Sequence, residues 1–173
     1  KEIARDFNKT FGETFVIPKH LINKNTKRIM ALDDPSKKMS KSAISEHSYI
    51  SLLDYPDAIR HKIKIAVTDS ETAVKYDPVK KPAISNLLNI YSGFSAKSIQ
   101  DLEKKYADKS YAEFKKDLAE VIIEGLSHLQ HKFNELSKDK DGVLEILRKG
   151  AGKATEISSQ TLQEVKEKMG FLV

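Results

Sequence analysis

Cysteine is absent from this sequence, which excludes a disulfide framework, a thiolate nucleophile and a cysteine-ligated metal, and fits a reducing compartment. No apolar run approaches the roughly 20 residues that a membrane-spanning helix needs. The first residues, Lys1 to Arg5, do not form a signal peptide. His128 and His131 lie three residues apart, but no third ligand has a recognisable spacing. We therefore expect a soluble protein with no membrane partner and no metal site.

The charge balance is only slightly basic. The sequence has 30 Lys and Arg against 25 Asp and Glu, a formal net charge of +5. An excess of this size permits an anionic partner such as a nucleic acid without requiring one.

The first third of the chain has the pattern of an α/β structure. Residues 1–11 have the apolar spacing of a helix that ends near Gly12, and residues 14–17 and 27–32 are typical of short extended segments. Between these segments lies the turn-rich triplet 23–25. The chain begins without Met and inside a helical pattern, so we expect it to be part of a longer protein.

Residues beyond Pro56 predict helices, apart from a polar connection at residues 68–82. Ser95 is a candidate N-cap for a helix over residues 97–106. A second interruption is predicted at Lys149 to Gly152, where two glycines would separate a final pair of helices. The longest apolar stripe steps by three and four residues and predicts one long helix; it comprises Tyr111, Phe114, Leu118, Val121, Ile122, Leu126, Leu129, Phe133 and Leu136.

The chemically informative segment runs from Arg28 to Ser42, a predicted strand that leads into a polar loop. The ammonium groups of Lys38 and Lys41 are compact charges on long stems, suited to a phosphate chain. Hydroxyl groups at Ser40 and Ser42 add neutral hydrogen-bonding capacity. Composition alone favours a solvated surface loop, because charge runs usually decorate surfaces.

The order of these residues favours a functional loop. Lys38-Met39-Ser40-Lys41-Ser42 resembles, letter for letter, the KMSKS signature of class I aminoacyl-tRNA synthetases. The flanking sequence, over essentially the whole chain, is similar to that of bacterial tryptophanyl-tRNA synthetases; the similar blocks include residues 33–37, 63–70, 85–92 and 114–121.

The resemblance implies an activity and a set of site residues. The family activates tryptophan with ATP, accompanied by Mg²⁺, and transfers it to tRNA(Trp). It implies that residues Lys38, Met39, Ser40, Lys41 and Ser42 contact ATP and that Lys38 and Lys41 are catalytic. It also implies that Ile29 lies against the adenine, although the residue pattern alone would make Ile29 an ordinary strand residue facing the core.

The resemblance also implies a fold and a location in the cell. Residues 1–67 would be the C-terminal part of a Rossmann-like nucleotide-binding domain, and residues 68–173 an all-α domain on the anticodon side of the tRNA. The full-length family members are cytoplasmic homodimers. The family's HIGH signature and tryptophan-binding residues have no match here, so we expect a C-terminal fragment that is inactive alone.

Two alternatives remain open. The chain could belong to the related tyrosyl enzymes, which share the loop, although the blocks 66–70 and 86–91 argue against this. It could also be a non-catalytic helical nucleic-acid-binding module that retains a relic loop. A HIGH-type motif and a tryptophan pocket in the parent sequence would distinguish a synthetase from such a module.

Overall fold

A computed structural model describes residues 1–22 and 26–171 of the chain. Over these residues the protein is mostly helical. Its α-helices are α1 (Glu2–Phe11), α2 (Pro56–Ile65), α3 (Pro82–Ser95), α4 (Ile99–Lys105), α5 (Tyr111–Leu136) and α6 (Lys140–Lys168), with a short 3₁₀ helix at Glu46–Ser48. The predicted end of the first helix is confirmed, since α1 stops before Gly12, whose φ is 84°. The turn predicted at residues 23–25 lies outside the described residues.

The predicted extended segments do not form strands in the described part of the chain. Residues 27–32 make only an isolated antiparallel bridge, between Met30 and Lys38. The backbone amides of Thr14 and Phe15 bond to the side chain of Asn8 in α1. A strand needs a neighbouring strand to satisfy its polar groups in a ladder. Here side chains and loop backbone satisfy them instead, so the expected α/β character is not seen.

The chain divides into two compact units, one formed by Ile22–Lys132 and the other by Lys1–Leu21 together with the described residues from Phe133 onward. The boundary predicted after Val67 lies inside the unit Ile22–Lys132. The assignment of residues 1–67 and 68–173 to separate domains therefore stays a prediction.

The core of the unit Ile22–Lys132 is built mainly by α2, α3, α4 and α5. The long stripe predicts α5 correctly, and its residues Phe114, Leu118 and Ile122 are fully buried. Apolar faces of this kind stabilise a helix mainly by packing against neighbours. The neighbours include Tyr91 of α3 and Tyr106 beside α4, whose rings lie 5.9 Å and 5.1 Å from that of Phe114.

Local residue chemistry sets where α3 and α4 begin. Pro82 occupies the first turn of α3, where its missing amide proton is not needed. The N-cap of α4 is Ser98, whose side chain accepts a hydrogen bond from the backbone of Asp101. The prediction of Ser95 as this cap is wrong, since the Ser95 hydroxyl donates to the carbonyl of Tyr91, one turn back in α3.

The unit that contains α6 corrects the predicted interruption at Lys149 to Gly152. Helix α6 begins after Asp139, whose carboxylate accepts a hydrogen bond from the amide of Gly142, and then continues through Gly150 and Gly152. Each glycine costs a helix only about 1 kcal/mol relative to alanine, and neither stands at a position that demands a turn. Among the described helices, none is both long enough and apolar enough to cross a membrane.

Candidate functional site

The lysine-rich loop returns onto the segment from which it departs. The amide of Ala31 donates to the carbonyl of Lys37 at 2.8 Å, and the amide of Met39 donates to the carbonyl of Ile29 at 3.0 Å. These two bonds flank the bridge between Met30 and Lys38. We call residues 29–32 the loop stem. The chain leaves the stem at residue 33, and its returning part, residues 37–39, is hydrogen-bonded back to the stem.

The opposite edge of the loop stem is also bonded. The amide of Leu32 donates to the carbonyl of Ser48, and its carbonyl accepts from the amide of Val67 at 2.8 Å. The buried side chain of Asn86, in α3, accepts from the amide of Met30 at 2.8 Å and donates to its carbonyl at 2.9 Å. The loop thus projects from a segment that is fixed on both edges.

A tight turn at Asp34 engages the first lysine of the loop. The Asp34 carboxylate accepts hydrogen bonds from the amide and hydroxyl of Ser36, and its second oxygen lies 2.8 Å from the Lys37 ammonium. The bond from Lys37 and those from Ser36 lower the pKa of Asp34 to about 2. The same carboxylate raises the pKa of Lys37. Lys37 is therefore part of the turn.

The predicted phosphate-binding side chains stand in solvent. Those of Lys38, Ser40, Lys41 and Ser42 are exposed. A second turn shapes this part of the loop, because the Ser40 hydroxyl accepts from the amide of Ser42 and the Ser40 carbonyl accepts from the amide of Ala43. Within the described part of the chain, neither Lys38 nor Lys41 has an ion-pair partner. Both ammonium groups are free to meet an anion.

Ile29 and Met39 form the apolar side of the site. Both are partly buried and pack against the core of the unit Ile22–Lys132. They line a groove of about 390 Å³ together with apolar residues that include Ile50, Phe94 and Ile122. The structure therefore agrees with the simpler interpretation of Ile29 as a residue facing the core, and its place beside an adenine stays a prediction.

Asn86 is the residue that sequence reasoning missed. In the sequence analysis it is only a member of the similar blocks 85–92 and 86–91, with no role of its own. A signal was present, since Asn86 lies two residues after Ile84 and directly before Leu87 and Leu88 in a predicted helix, and buried amides are almost always hydrogen-bonded. The sequence did not reveal its partner, because Asn86 and Met30 are 56 residues apart.

Two lysines of the helical region, Lys105 and Lys115, bond to neighbouring parts of the fold. Lys105 pairs with Asp117 at 3.1 Å and donates to the hydroxyl of Tyr106. Lys115 donates to the carbonyls of Lys64 and Ala66 at the end of α2, at 3.2 Å and 2.6 Å. Burial lowers the pKa of Lys115. These two lysines stabilise the fold and are poor candidates for phosphate contacts.

Comparison with protein families gives one match over most of the chain. A family described as "tRNA synthetases class I (W and Y)" matches residues 1–127. The tryptophan–tRNA ligase of Caldanaerobacter subterraneus subsp. tengcongensis is 46% identical over 173 residues, covering 100% of this chain and 52% of the relative. That of Bacillus anthracis is 48% identical over 171 residues, covering 99% and 52%. The chain therefore spans about half the length of these relatives.

Solved structures give the same picture. A tryptophanyl-tRNA synthetase from Mycoplasma pneumoniae superposes with a TM-score of 0.87 at 29% identity, covering 99% of this chain and 54% of that one. One from Campylobacter jejuni, complexed with ADP and tryptophan, gives a TM-score of 0.63 at 27% identity, covering 98% of this chain and 52% of that one. The arrangement of helices described above is thus one that experimental structures also contain.

Proposed function

This chain belongs to the class I tRNA synthetases of the tryptophan and tyrosine group, and on that premise we propose that it forms the ATP-closing part of a tryptophan–tRNA ligase. The complete enzyme would activate tryptophan with ATP and transfer it to tRNA(Trp). The names of the curated relatives support tryptophan over tyrosine. They equally disfavour a non-catalytic module with a relic loop.

The observation that carries this proposal is that Lys38 and Lys41, which have no ion-pair partner among the described residues, stand on a loop whose stem is fixed on both edges. In adenylate formation, a carboxylate oxygen of tryptophan attacks the α-phosphorus of ATP, and the bond to the β-phosphate breaks. Negative charge then moves onto the departing pyrophosphate. Two ammonium groups on long side chains at this position would stabilise that charge as the loop closes.

The remaining loop residues have supporting roles in this proposal. Ser40 and Ser42 would donate hydroxyl hydrogen bonds to phosphate oxygens, and Met39 would hold the loop against the apolar groove while its neighbours move. Ile29 would lie against the adenine when ATP is bound. Lys37 would stay with Asp34, 2.8 Å away, and would contribute little.

Magnesium would enter with ATP. The described residues contain no group of three or more His, Cys, Asp or Glu side chains placed to hold a metal ion. Mg²⁺ commonly keeps several waters and binds through substrate phosphates. We therefore propose that phosphate oxygens provide its main ligands, and that this chain contributes ammonium and hydroxyl groups near the same phosphates.

The finer fold assignment belongs to the same proposal. The last residue of the loop stem, Leu32, bonds to the carbonyl of Ser48 and to the amide of Val67. We propose that residues 1–67 complete a Rossmann-like domain of the full enzyme, and that residues 68–173 form the helical domain on the anticodon side of the tRNA. A cytoplasmic homodimer is the proposed assembly.

Inorganic pyrophosphate offers a direct test with the 173-residue chain. Titration into ¹⁵N-labelled protein should shift the amide signals of residues 38–42, because the free ammonium groups attract the anion. The double variant Lys38→Ala/Lys41→Ala should remove the shifts, whereas Lys64→Ala, an exposed lysine of α2, should leave them. Shifts of these amides that persist in the double variant would mean that Lys38 and Lys41 do not bind the anion, and would refute the proposal.

Activity of the chain alone should be absent. Catalysis depends on holding both reactants in a near-attack geometry, and this sequence has no match to the HIGH signature or to a tryptophan pocket. Tryptophan-dependent exchange of pyrophosphate into ATP should stay at background with the purified chain, while a full-length bacterial relative serves as the positive control. Exchange above background would refute this expectation.

A further inference from the structure

The backbone of the loop stem bonds in two directions. Along an extended segment, successive residues direct their amide and carbonyl groups to opposite edges. Ile29 and Ala31 use theirs to hold the returning loop, through the bonds to Met39 and Lys37. Met30 directs its backbone amide and carbonyl to the other edge, where both bond to the side-chain carboxamide of Asn86. Asn86 thus occupies the place of a missing neighbouring strand.

We propose that Asn86 is a positioning residue for the KMSKS loop, and that it sets the register of the loop stem and with it the placement of Lys38 and Lys41. The importance of those lysines rests on the proposed function, whereas the effect of Asn86 on the register of the loop stem does not. Asn86 offers one acceptor and one donor, which match the amide and carbonyl of a single residue, Met30. A slip of one residue would leave this buried amide without partners.

Such a slip would also reverse the side chains of the stem. Because side chains alternate along an extended segment, a shift of one residue would turn Ile29 away from the apolar groove and expose it. Met39, which bonds to the carbonyl of Ile29, would move with it. The side chain of Asn86 on α3 therefore fixes both the apolar contacts of Ile29 and Met39 and the position at which the charged loop starts.

Helix α3 is a firm anchor for this role. The residues around Asn86 are buried, among them Ser85, Leu87 and Leu88. The Ser85 hydroxyl accepts a bond from the amide of Asp77 at 2.9 Å. Ser85 is therefore a matched control: it is a buried polar residue adjacent to Asn86 on the same helix, but its bond does not reach the loop stem.

The test compares amide hydrogen exchange in the 173-residue chain and two variants. In Asn86→Ala, the protection of the Ala31 and Met39 amides should fall about tenfold relative to the amides of α5, because a local opening of the stem becomes easier. In Ser85→Ala the protection of these two amides relative to the amides of α5 should not change. The apparent affinity for inorganic pyrophosphate should weaken in Asn86→Ala and stay unchanged in Ser85→Ala, a difference that general destabilisation would not produce.

Wild-type protein gives a second measurement that needs no folded variant. The side-chain amide protons of Asn86 should exchange at the same opening frequency as the Ala31 and Met39 amides, since one event breaks all three contacts. Independent exchange of the Asn86 side chain, or equal loss of stem protection in both variants, would overturn the inference. Selective loss of protection together with no pyrophosphate binding by wild type would support the positioning role and refute the proposed function.

Discussion

Replacing Lys41 by alanine in the complete ligase should slow adenylate formation by roughly 10²- to 10³-fold, equivalent to roughly 2.7 to 4 kcal/mol. The Lys41 side chain is exposed and, within the described residues, has no ion-pair partner. In the function proposed above, it moves toward the substrate and reaches the pyrophosphate fully only as the site closes. An interaction that strengthens in the transition state raises turnover more than ground-state affinity.

Single-turnover adenylate formation at saturating ATP would measure this effect. Lys37→Ala is the matched control, because it removes the same charge from the same loop. Lys37 already pairs with Asp34 at 2.8 Å in an exposed turn, and solvent screens exposed pairs of this kind so that they contribute little. The control should therefore be nearly silent, and tryptophan binding should barely change in either variant.

A different result would assign Lys41 a different role. If Lys41→Ala raised the apparent Michaelis constant for ATP and left the single-turnover rate intact, the lysine would bind ground state and transition state equally. The loop would then be a clamp for ATP. If Lys37→Ala and Lys41→Ala slowed adenylate formation equally, the net positive charge of the loop, and not the position of Lys41, would be what matters.

The helices were largely predictable because their signals are local. The stripe from Tyr111 to Leu136 gives α5 with its observed bounds. Its spacing identifies the buried face as far as Leu126, whereas its later members Leu129 and Phe133 are exposed. Helix ends were harder. The glycines at 150 and 152 suggested a break, yet α6 runs through them, since a cost of about 1 kcal/mol for each glycine is too small to end a long helix.

The site was predictable only in part. The residues from Lys38 to Ser42 stand out by their order, and the structure places their side chains on an exposed loop, apart from the half-buried Met39. Their anchoring depends on distant partners. The bond from Leu32 to Ser48 and the pairing of Met30 with Asn86 join segments far apart in sequence, which no local pattern reveals.

The predicted strand at residues 27–32 failed for the same reason. Its composition favours an extended backbone, and the loop stem is bonded on both edges as a strand would be. The partners are a returning loop, an asparagine side chain, the carbonyl of Ser48 and the amide of Val67 rather than a second strand. Extended conformation follows from local preference, whereas a strand also requires a neighbour.

Ile122→Asp should destabilise the unit Ile22–Lys132 by roughly 3 to 5 kcal/mol, the range for a buried charge without a partner. Ile122 is completely buried in the middle of α5, and a stable domain has only about 5 to 15 kcal/mol in total. The new carboxyl can reduce its cost by binding a proton, because burial raises its pKa. The loss should therefore be larger at pH 7 than at pH 5.

Urea unfolding followed by tyrosine fluorescence would report on the unit Ile22–Lys132. The chain has no tryptophan, and its 6 tyrosines, at positions 49, 55, 76, 91, 106 and 111, all lie within Ile22–Lys132. Ile157→Asp is the matched control, since it makes the same chemical change at a residue of α6 that is 72% exposed. Surface changes of this kind usually stay within about 0.5 kcal/mol. An unfolding midpoint for Ile122→Asp equal to that of the control would show that α5 does not bury this face in solution.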